Sequence, residues 1–266
     1  MALEVLFVGV SSAAPGGGEE TACYLINGSI LIDAGWNAAV NMQVHGAQPT
    51  DVDCVIFTHC HQDHTLGLPG LFFANRRRLE MRPEAGPLKL YGPMDLGVVR
   101  DGACVLLQAE RYPQCVPAHE VEWVYPGDEL EIAGLEIAVG RAFHPLDARC
   151  YRVSDPATGA SVVFSGDTFY HQGLPLFAKD CDVLVHEAAA APDAEIPDVM
   201  RHLHSRPQDA ALVAQESGAS SLVLVHCGPG QGSIALAAAK RVFPNVRLGK
   251  KGEKAQIFGP GQVAWV

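Results

Sequence analysis

The densest chemistry in the sequence is Phe57-Thr58-His59-Cys60-His61-Gln62-Asp63-His64, with four metal-ligand side chains in the six residues from His59 to His64. The run follows an apolar stretch that predicts a strand over Val52–Phe57. In an extended segment, residues two apart share one side, so His59 and His61 can reach the same cation. Asp63 and His64 then fall on the turn into a helix, where they can face a second cation beside the first. The plain alternative is a polar loop whose histidines only hydrogen-bond. Three histidines and an aspartate at the mouth of one strand exceed what such a loop needs.

Positioning these side chains requires an alternation of short strands and helices. Strands are predicted over Leu3–Val8, Ile30–Ile32, Val52–Phe57, Leu88–Tyr91, Leu135–Ala138, Ser161–Phe164, Val183–Val185, Leu222–Val225 and Gln256–Phe258. Helices are predicted over Gly67–Arg78, Pro93–Gln108, Pro207–Ser217 and Gly232–Val242. Ser205 is placed to cap the third of these, and Pro207 suits its first turn. The 27 Gly and 18 Pro residues supply the turns between elements.

Composition narrows the setting. The 266 residues are 48% hydrophobic and 18% charged, which describes a globular chain and excludes wholesale disorder. No linker or composition break divides them, so residues 1–266 are expected to form one domain. With 19 Lys plus Arg against 30 Asp plus Glu, the formal charge is -11. That balance disfavours broad binding to nucleic acid or to anionic membranes, both of which need a positive field. The 8 cysteines are scattered without a C-x-x-C pair and read as small buried hydrophobes. The apolar opening lacks a basic flank and runs into a Ser/Gly loop, so a cytoplasmic location is the default expectation. No apolar stretch approaches the ~20 residues of a membrane helix.

With its H-x-H-x-D-H run, the sequence resembles the metallo-β-lactamase fold superfamily. The continuation Asp63-His64-Thr65-Leu66-Gly67-Leu68-Pro69-Gly70-Leu71 is most similar to the branch containing RNase Z and small phosphodiesterases. The resemblance begins with Phe7-Val8-Gly9-Val10-Ser11-Ser12 and Leu31-Ile32-Asp33-Ala34-Gly35 and ends near His226. It implies an α/β fold, a four-layer αβ/βα sandwich with two mixed β-sheets between outer helices. It also implies the remaining ligands: His144 before Pro145, Asp167 in Ser165-Gly166-Asp167-Thr168, and His226 at the end of an apolar run. The first site would be His59, His61 and His144 with Asp167; the second would be Asp63, His64 and His226, sharing Asp167. Taken alone, His144 could be a turn histidine, Asp167 a cap and His226 a strand-end residue. The donors are all N or O, which suits two divalent ions, Zn²⁺ first, with Mn²⁺, Fe²⁺ or Co²⁺ admitted. Cys60 and Cys227 adjoin ligands but should point the other way. His61 stands where the superfamily's redox di-iron branch typically has glutamate, which argues against that branch.

Two divalent ions about 3.5–4 Å apart can lower the pKa of a water toward ~7 and hold an electrophile against it. No G-x-S-x-G elbow competes for the nucleophile's role. Asp63 could both bind metal and orient the attacking water. His204, in Leu203-His204-Ser205-Arg206, resembles the family's His-Ser-Thr histidine and could protonate the leaving group, with Arg206 replacing threonine. His202 is its neighbouring competitor. Glu187, in Val185-His186-Glu187-Ala188, resembles the His-Glu-Ala-Thr segment and could orient His204. His186 is expected to be structural, and Asp33 to support the metal loop. Arg76-Arg77-Arg78 is expected to be a solvated face rather than a phosphate clamp. His171 could line the pocket; His45 and His119 have no functional context.

The leading expectation is a phosphodiesterase for a small or cyclic, anionic substrate. RNase Z usually projects a flexible arm, and Ser154–Val163 leaves no room for one. The Asp33-Ala34-Gly35-Trp36-Asn37 run also departs from the family's Asp-Cys-Gly-Glu-Gly-Thr pattern, which makes tRNA 3'-end processing the minority reading. A lactonase or another carboxylic-ester hydrolase would use the same donors, and a non-catalytic metal-binding protein would keep them without turnover. A homodimer is left open.

Overall fold

The central strands form where aliphatic and β-branched residues run without a polar interruption, because a strand buried on both faces has no water-facing side. The computed structural model describes residues 2–266, with the side chains of all but residues 198, 200 and 201. In chain order the strands are β1 (Leu3–Gly9), β2 (Cys23–Ile26), β3 (Ile30–Ile32), β4 (Cys54–Ile56), β5 (Leu88–Gly92) and β6 (His119–Trp123). Then come β7 (Glu129–Ile132), β8 (Leu135–Phe143), β9 (Asp147–Ser154), β10 (Ser161–Phe164), β11 (Val183–Glu187), β12 (Ser221–Val225) and β13 (Val246–Leu248). The last two are β14 (Lys254–Gly259) and β15 (Gln262–Trp265). One sheet has the order β15-β14-β1-β2-β3-β4-β5-β6 and the other β13-β12-β11-β10-β9-β8-β7. Each is mixed: β3 through β6 run parallel in the first, β10 through β13 in the second.

The helices are α1 (Ala38–Val44), α2 (Gln62–Thr65), α3 (Leu68–Asn75), α4 (Arg78–Met81) and α5 (Leu96–Leu106), followed by α6 (Gly173–Phe177), α7 (Ile196–His202), α8 (Pro207–Ser217) and α9 (Gly232–Lys240). Side-chain alternation assembles the layers. Ile56 faces the other sheet, and with Phe7 and Tyr24 of its own sheet it packs on Tyr151 and Val162 of the other to make the inner core. Its neighbours Val55 and Phe57 face outward onto Leu68, Phe72 and Leu96 of the first helical layer. Val163 and Leu222 of the second sheet likewise meet Val213 and Ala239 of the other layer. Each fully buried side chain of this kind contributes roughly 1.5–3 kcal/mol. This is the four-layer αβ/βα sandwich.

Several boundaries differ from the sequence reading. The helix expected over Gly67–Arg78 stops at Asn75, and a separate turn, α4, begins at Arg78. Arg78 is not solvated: it is 1% exposed, donates to the carbonyls of Val52, Ala85 and Gly86, and pairs with Asp53. Its neighbours Arg76 and Arg77 do sit outside, one over the Phe73 ring and the other paired with Glu80. Ser205 does not cap α8. Arg206 holds the cap position and its N–H donates to the Asp209 carboxylate, while the Ser205 hydroxyl donates to the Thr168 carbonyl. The α5 helix starts at Leu96 rather than Pro93, and β8 runs on to Phe143. Strands β2, β6, β7, β9, β13 and β15 lay outside the sequence expectation, several being short or carrying charged residues that mask the apolar pattern.

The parallel strands of both sheets end on the same edge. Asp33 follows β3, the His59–His64 run follows β4, Asp167 follows β10, Glu187 ends β11 and His226 follows β12. Two hydrogen bonds lock the sheets together there: Arg149 N–H to the Thr58 carbonyl at 2.8 Å, and the Tyr151 hydroxyl to the Phe57 carbonyl at 2.8 Å. A third ties the His226 N–H to the Val10 carbonyl at 2.7 Å.

Candidate metal centre

His61 is the last extended residue before α2, and the short helix then turns Asp63 and His64 toward the interior. His59 Nε2 and His144 Nε2 approach His61 Nδ1 to 3.1 and 2.9 Å. Tetrahedral ligands at about 2.0–2.1 Å from one zinc ion lie roughly 3.3 Å apart, so these three nitrogens have the spacing of a ligand set. A second group holds Asp63, His64, Asp167 and His226, its donor atoms all within 4.8 Å of one another. Asp167 stands at the boundary. Its Oδ2 is 3.8 Å from His59 Nε2, 3.5 Å from His64 Nε2 and 3.5 Å from His226 Nε2. All of these side chains are buried except the half-buried His61.

Asp33 orients this cluster from behind. Its Oδ2 accepts a hydrogen bond from Thr58 Oγ1 at 2.8 Å and from His64 Nδ1 at 2.8 Å. Since the Thr58 hydroxyl donates to Asp33, it accepts from His59 Nδ1, 3.1 Å away. Both imidazoles therefore hold a proton on Nδ1 and present Nε2 to the interior, the arrangement by which a carboxylate raises a ligand's basicity. The backbone is strained at the same places. Asp33 has φ 59° and His226 φ 55°, left-handed values that bulky residues rarely adopt. Such strain is retained where the surroundings over-determine it. Gly166, at φ 57°, turns the chain so that Asp167 points inward, and a Cβ there would lie 2.8 Å from Thr58 Cβ.

The electrostatics divide the cluster in two. Burial, then the positive charge of His64, push His59 well below the usual imidazole range. Burial also takes His144 down to about 4. In contrast, burial disfavours the charged form of His64, yet Asp167 and Asp33 hold it well above the usual range. Burial favours the acid form of Asp167, but His226 and His64 keep it well below the carboxylate range. A neutral three-histidine group thus adjoins an anionic group that has drawn protons onto its histidines. A divalent cation suits both: it needs neutral imidazole nitrogens in the first and displaces protons in the second. His64 Nε2 is buried with no hydrogen-bond partner among the described residues, 3.6 Å from Asp63 and 3.5 Å from Asp167, as expected for a nitrogen placed to meet a cation. The residues present therefore fit two metal ions.

Two other combinations of close donors include His204, with His144 and Asp167 or with Glu187 and His226. Neither is free for metal. Glu187 Oε1 accepts from the N–H groups of Thr168 and Ser205 and from His204 Nδ1, at 3.1, 3.0 and 3.0 Å. Its Oε2 accepts from the Ala189 N–H at 2.8 Å. The carboxylate is saturated, and His204 Nδ1 is committed to it. Burial works against the His204 imidazolium, but the charge and hydrogen bond of Glu187, with Asp167 and Asp63, push it up to about 9. Leu203, left-handed at φ 53°, ends α7 and sets His204 3.9 Å from Asp167.

Most of the residues singled out from sequence converge here: His59, His61, Asp63, His64, His144, Asp167, His204, His226 and, behind them, Glu187 and Asp33. Cys60 and Cys227 pack against the two outer cores instead of joining either donor group. His186 is buried, with Nδ1 donating to its neighbour's carbonyl. His171 does not line the centre; it bonds the Arg141 carbonyl and its ring packs on Phe143. The Arg206 guanidinium, in place of the family's threonine, is occupied by Asp209. Sequence reasoning missed Thr58 and Ser205. Their signal was a hydroxyl residue beside His59 and one beside His204, which becomes informative only once Asp33 and Glu187 are seen behind them.

A family model described as a beta-lactamase superfamily domain matches residues 29–227. An uncharacterized protein of Mycobacterium tuberculosis (strain ATCC 25618 / H37Rv) is 30% identical, with 86% of this chain and 82% of that protein covered. A ribonuclease Z of Methanothermobacter thermautotrophicus is 27% identical, with 91% and 92% covered. The crystal structure of the metallo-beta-lactamase fold protein YhfI from Bacillus subtilis superimposes with a TM-score of 0.78 at 23% identity, covering 100% of both chains.

Proposed function

This chain belongs to the metallo-β-lactamase superfamily, on its RNase Z-like branch, and from that premise we propose a dinuclear metal-dependent phosphodiesterase acting on small or cyclic phosphodiesters. The observation that carries the reading is Asp167 standing between two donor groups, with His204 beside it. His59, His61, His144 and Asp167 would hold one ion; Asp63, His64, His226 and Asp167 the other. Zinc is the favoured occupant of such nitrogen and oxygen donors. Two ions there would supply Lewis acidity, lowering the pKa of a water toward ~7 and drawing charge from a phosphoryl oxygen.

The chain's own residues do the rest. Asp63 orients the attacking water through its carboxylate. His204, partly open to solvent, holds a proton at Nε2 while Nδ1 donates to Glu187, so Nε2 can protonate the departing alkoxide. Glu187 fixes that orientation and favours the imidazolium. Because Glu187 also bonds the Thr168 and Ser205 N–H groups, it keeps the His204 loop in register with Asp167.

The net charge of -11 supports a small anionic substrate over a long polyanion. In the β9–β10 hairpin only residues 155–160 separate the strands, so no arm projects from it. The ribonuclease Z relative, aligned over nearly the full length, favours a second reading as a tRNA 3'-processing endonuclease. A panel of bis-aryl phosphate, cyclic nucleotide, lactone, β-lactam and precursor tRNA separates them. Phosphodiester turnover should exceed the others by at least tenfold. Preferential lactone hydrolysis, or cleavage restricted to precursor tRNA, would replace the proposal.

A further inference from the structure

Behind His204 lies a second space that the metal chemistry does not use. A cavity of about 250 Å³ is lined by Ala189, Ala190, Ala191, Ala194 and Val199, with His204 forming part of its wall. His202 is the other imidazole there. The cavity shares His204 with the candidate centre and none of its proposed metal donors.

Its walls come from the loop after β11 and from α7, and the loop is held by its backbone. The Ala189 N–H donates to Glu187 at 2.8 Å, the Ala190 N–H to the Ser205 carbonyl at 3.2 Å, and Gln208 Nε2 to the Pro192 carbonyl at 2.6 Å. Loops of this kind usually carry Gly, Asn, Asp or Ser, each serving a turn. Here the turn falls on Pro192 and Asp193, and the alanines on either side of it serve no turn. They keep the wall apolar and, having only a methyl each, leave the volume unfilled. The pocket opens to solvent, where Ala191 and His202 are exposed, and an apolar space of roughly 150 Å³ is already enough for benzene. One of about 250 Å³ has room for an aryl ring and its linking atoms.

We propose that this cavity receives an aromatic ring carried by the leaving alcohol of the substrate. The assignment rests on the reading above, in which His204 faces the leaving oxygen: a group bonded to that oxygen extends past His204 into the alanine-lined space. The preferred substrate class is then a phosphodiester with an aryl or heteroaryl leaving portion. A sugar or polyol fits less well, because among the side chains of the described lining residues only the two imidazoles offer hydrogen bonds.

The test begins with wild-type protein, zinc-loaded and carrying ¹³C-methyl alanine, titrated with phenol. Saturable shifts at the Ala190, Ala191 and Ala194 methyls are expected; their absence overturns the inference. Calorimetry then compares phenylphosphonate with methylphosphonate, neither of which has an ester bond to cleave. The phenyl compound should bind at least tenfold more tightly, and Ala194→Leu should reduce that ratio to below threefold. Ala191→Leu is the second filling variant should the first fail to fold. A ratio near one in the wild type, or one that survives both variants, overturns the inference. Should phenol bind while the substrate panel shows no phosphodiester turnover, the proposed reaction fails and the aromatic pocket stands.

Discussion

His64 Nδ1 donates to Asp33 Oδ2 across 2.8 Å, and the bond joins the end of one parallel strand to the helix that begins after the next. It sets which nitrogen of His64 faces the metal-donor group. Through Thr58 the same carboxylate oxygen sets His59 as well. One residue with no place in either donor group therefore orients a histidine in each.

Asp33→Asn is accordingly expected to weaken both sites together, by about 10–100-fold in metal affinity, the usual cost of removing such a partner. Competition against a chromogenic chelator measures it. Loss at one site alone, or at neither, would show that Thr58 and the backbone suffice.

Metal content offers a direct count. Wild-type protein expressed with ample zinc should contain close to two ions per chain. His61→Ala should lower that number to near one, since among the described donors His61 meets His59 and His144. Asp167→Ala should lower it further, because the lost oxygen adjoins both groups. A wild-type content of one ion would sink the dinuclear proposal.

For the proton transfer, His204→Ala should retain metal while kcat falls by roughly 10²–10⁴-fold on esters with poor leaving groups. The loss should shrink as the leaving group becomes more acidic and needs no proton. Equal losses across such a series would assign His204 to binding instead. Glu187→Gln preserves shape and should show the same trend with a smaller loss.

Metal-free protein permits a test of the electrostatics by histidine NMR. His204 should titrate at about 9 and His144 at about 4, although their ring centroids are 5.0 Å apart. The consequences for stability have opposite signs. The raised His204 stabilises the fold fully below the unfolded value of about 6.5, and that contribution is lost as pH rises toward 9. The lowered His144 has the reverse effect, costing stability as pH falls from about 6.5 toward 4. Added zinc should lower the His204 value, since nearby cations disfavour the imidazolium. An unchanged value would place the ions elsewhere.

Gly166→Ala should lower Tm, with a cost of roughly 1–3 kcal/mol from its left-handed backbone. The new methyl also meets Thr58, which supports His59. Metal affinity should therefore fall along with stability; a loss of stability alone would mean that Thr58 shifts without moving the ligand.

From residue types and spacing alone, the sequence determined the H-x-H-x-D-H run, the apolar strand leading into it and the alternation of short strands with helices; the layered fold and the distant His144, Asp167 and His226 followed from the family resemblance. The first three are local properties: a continuous apolar run and a ligand run on one short segment survive in one dimension. The role of Asp33 was only dimly visible, because nothing along the chain links it to His64, 31 residues away. Arg78 illustrates the converse. Three adjacent arginines describe a solvated face by composition, yet one of them is drawn inside by the carbonyls of Val52, Ala85 and Gly86. Only the tertiary structure could decide which buried polar groups find partners, because a hydrogen bond across two sheets depends on how the sheets pack. The same holds for the alanines beside His204. In sequence they are featureless, and they become a candidate pocket only when the loop is pinned with its methyl groups facing an unfilled space.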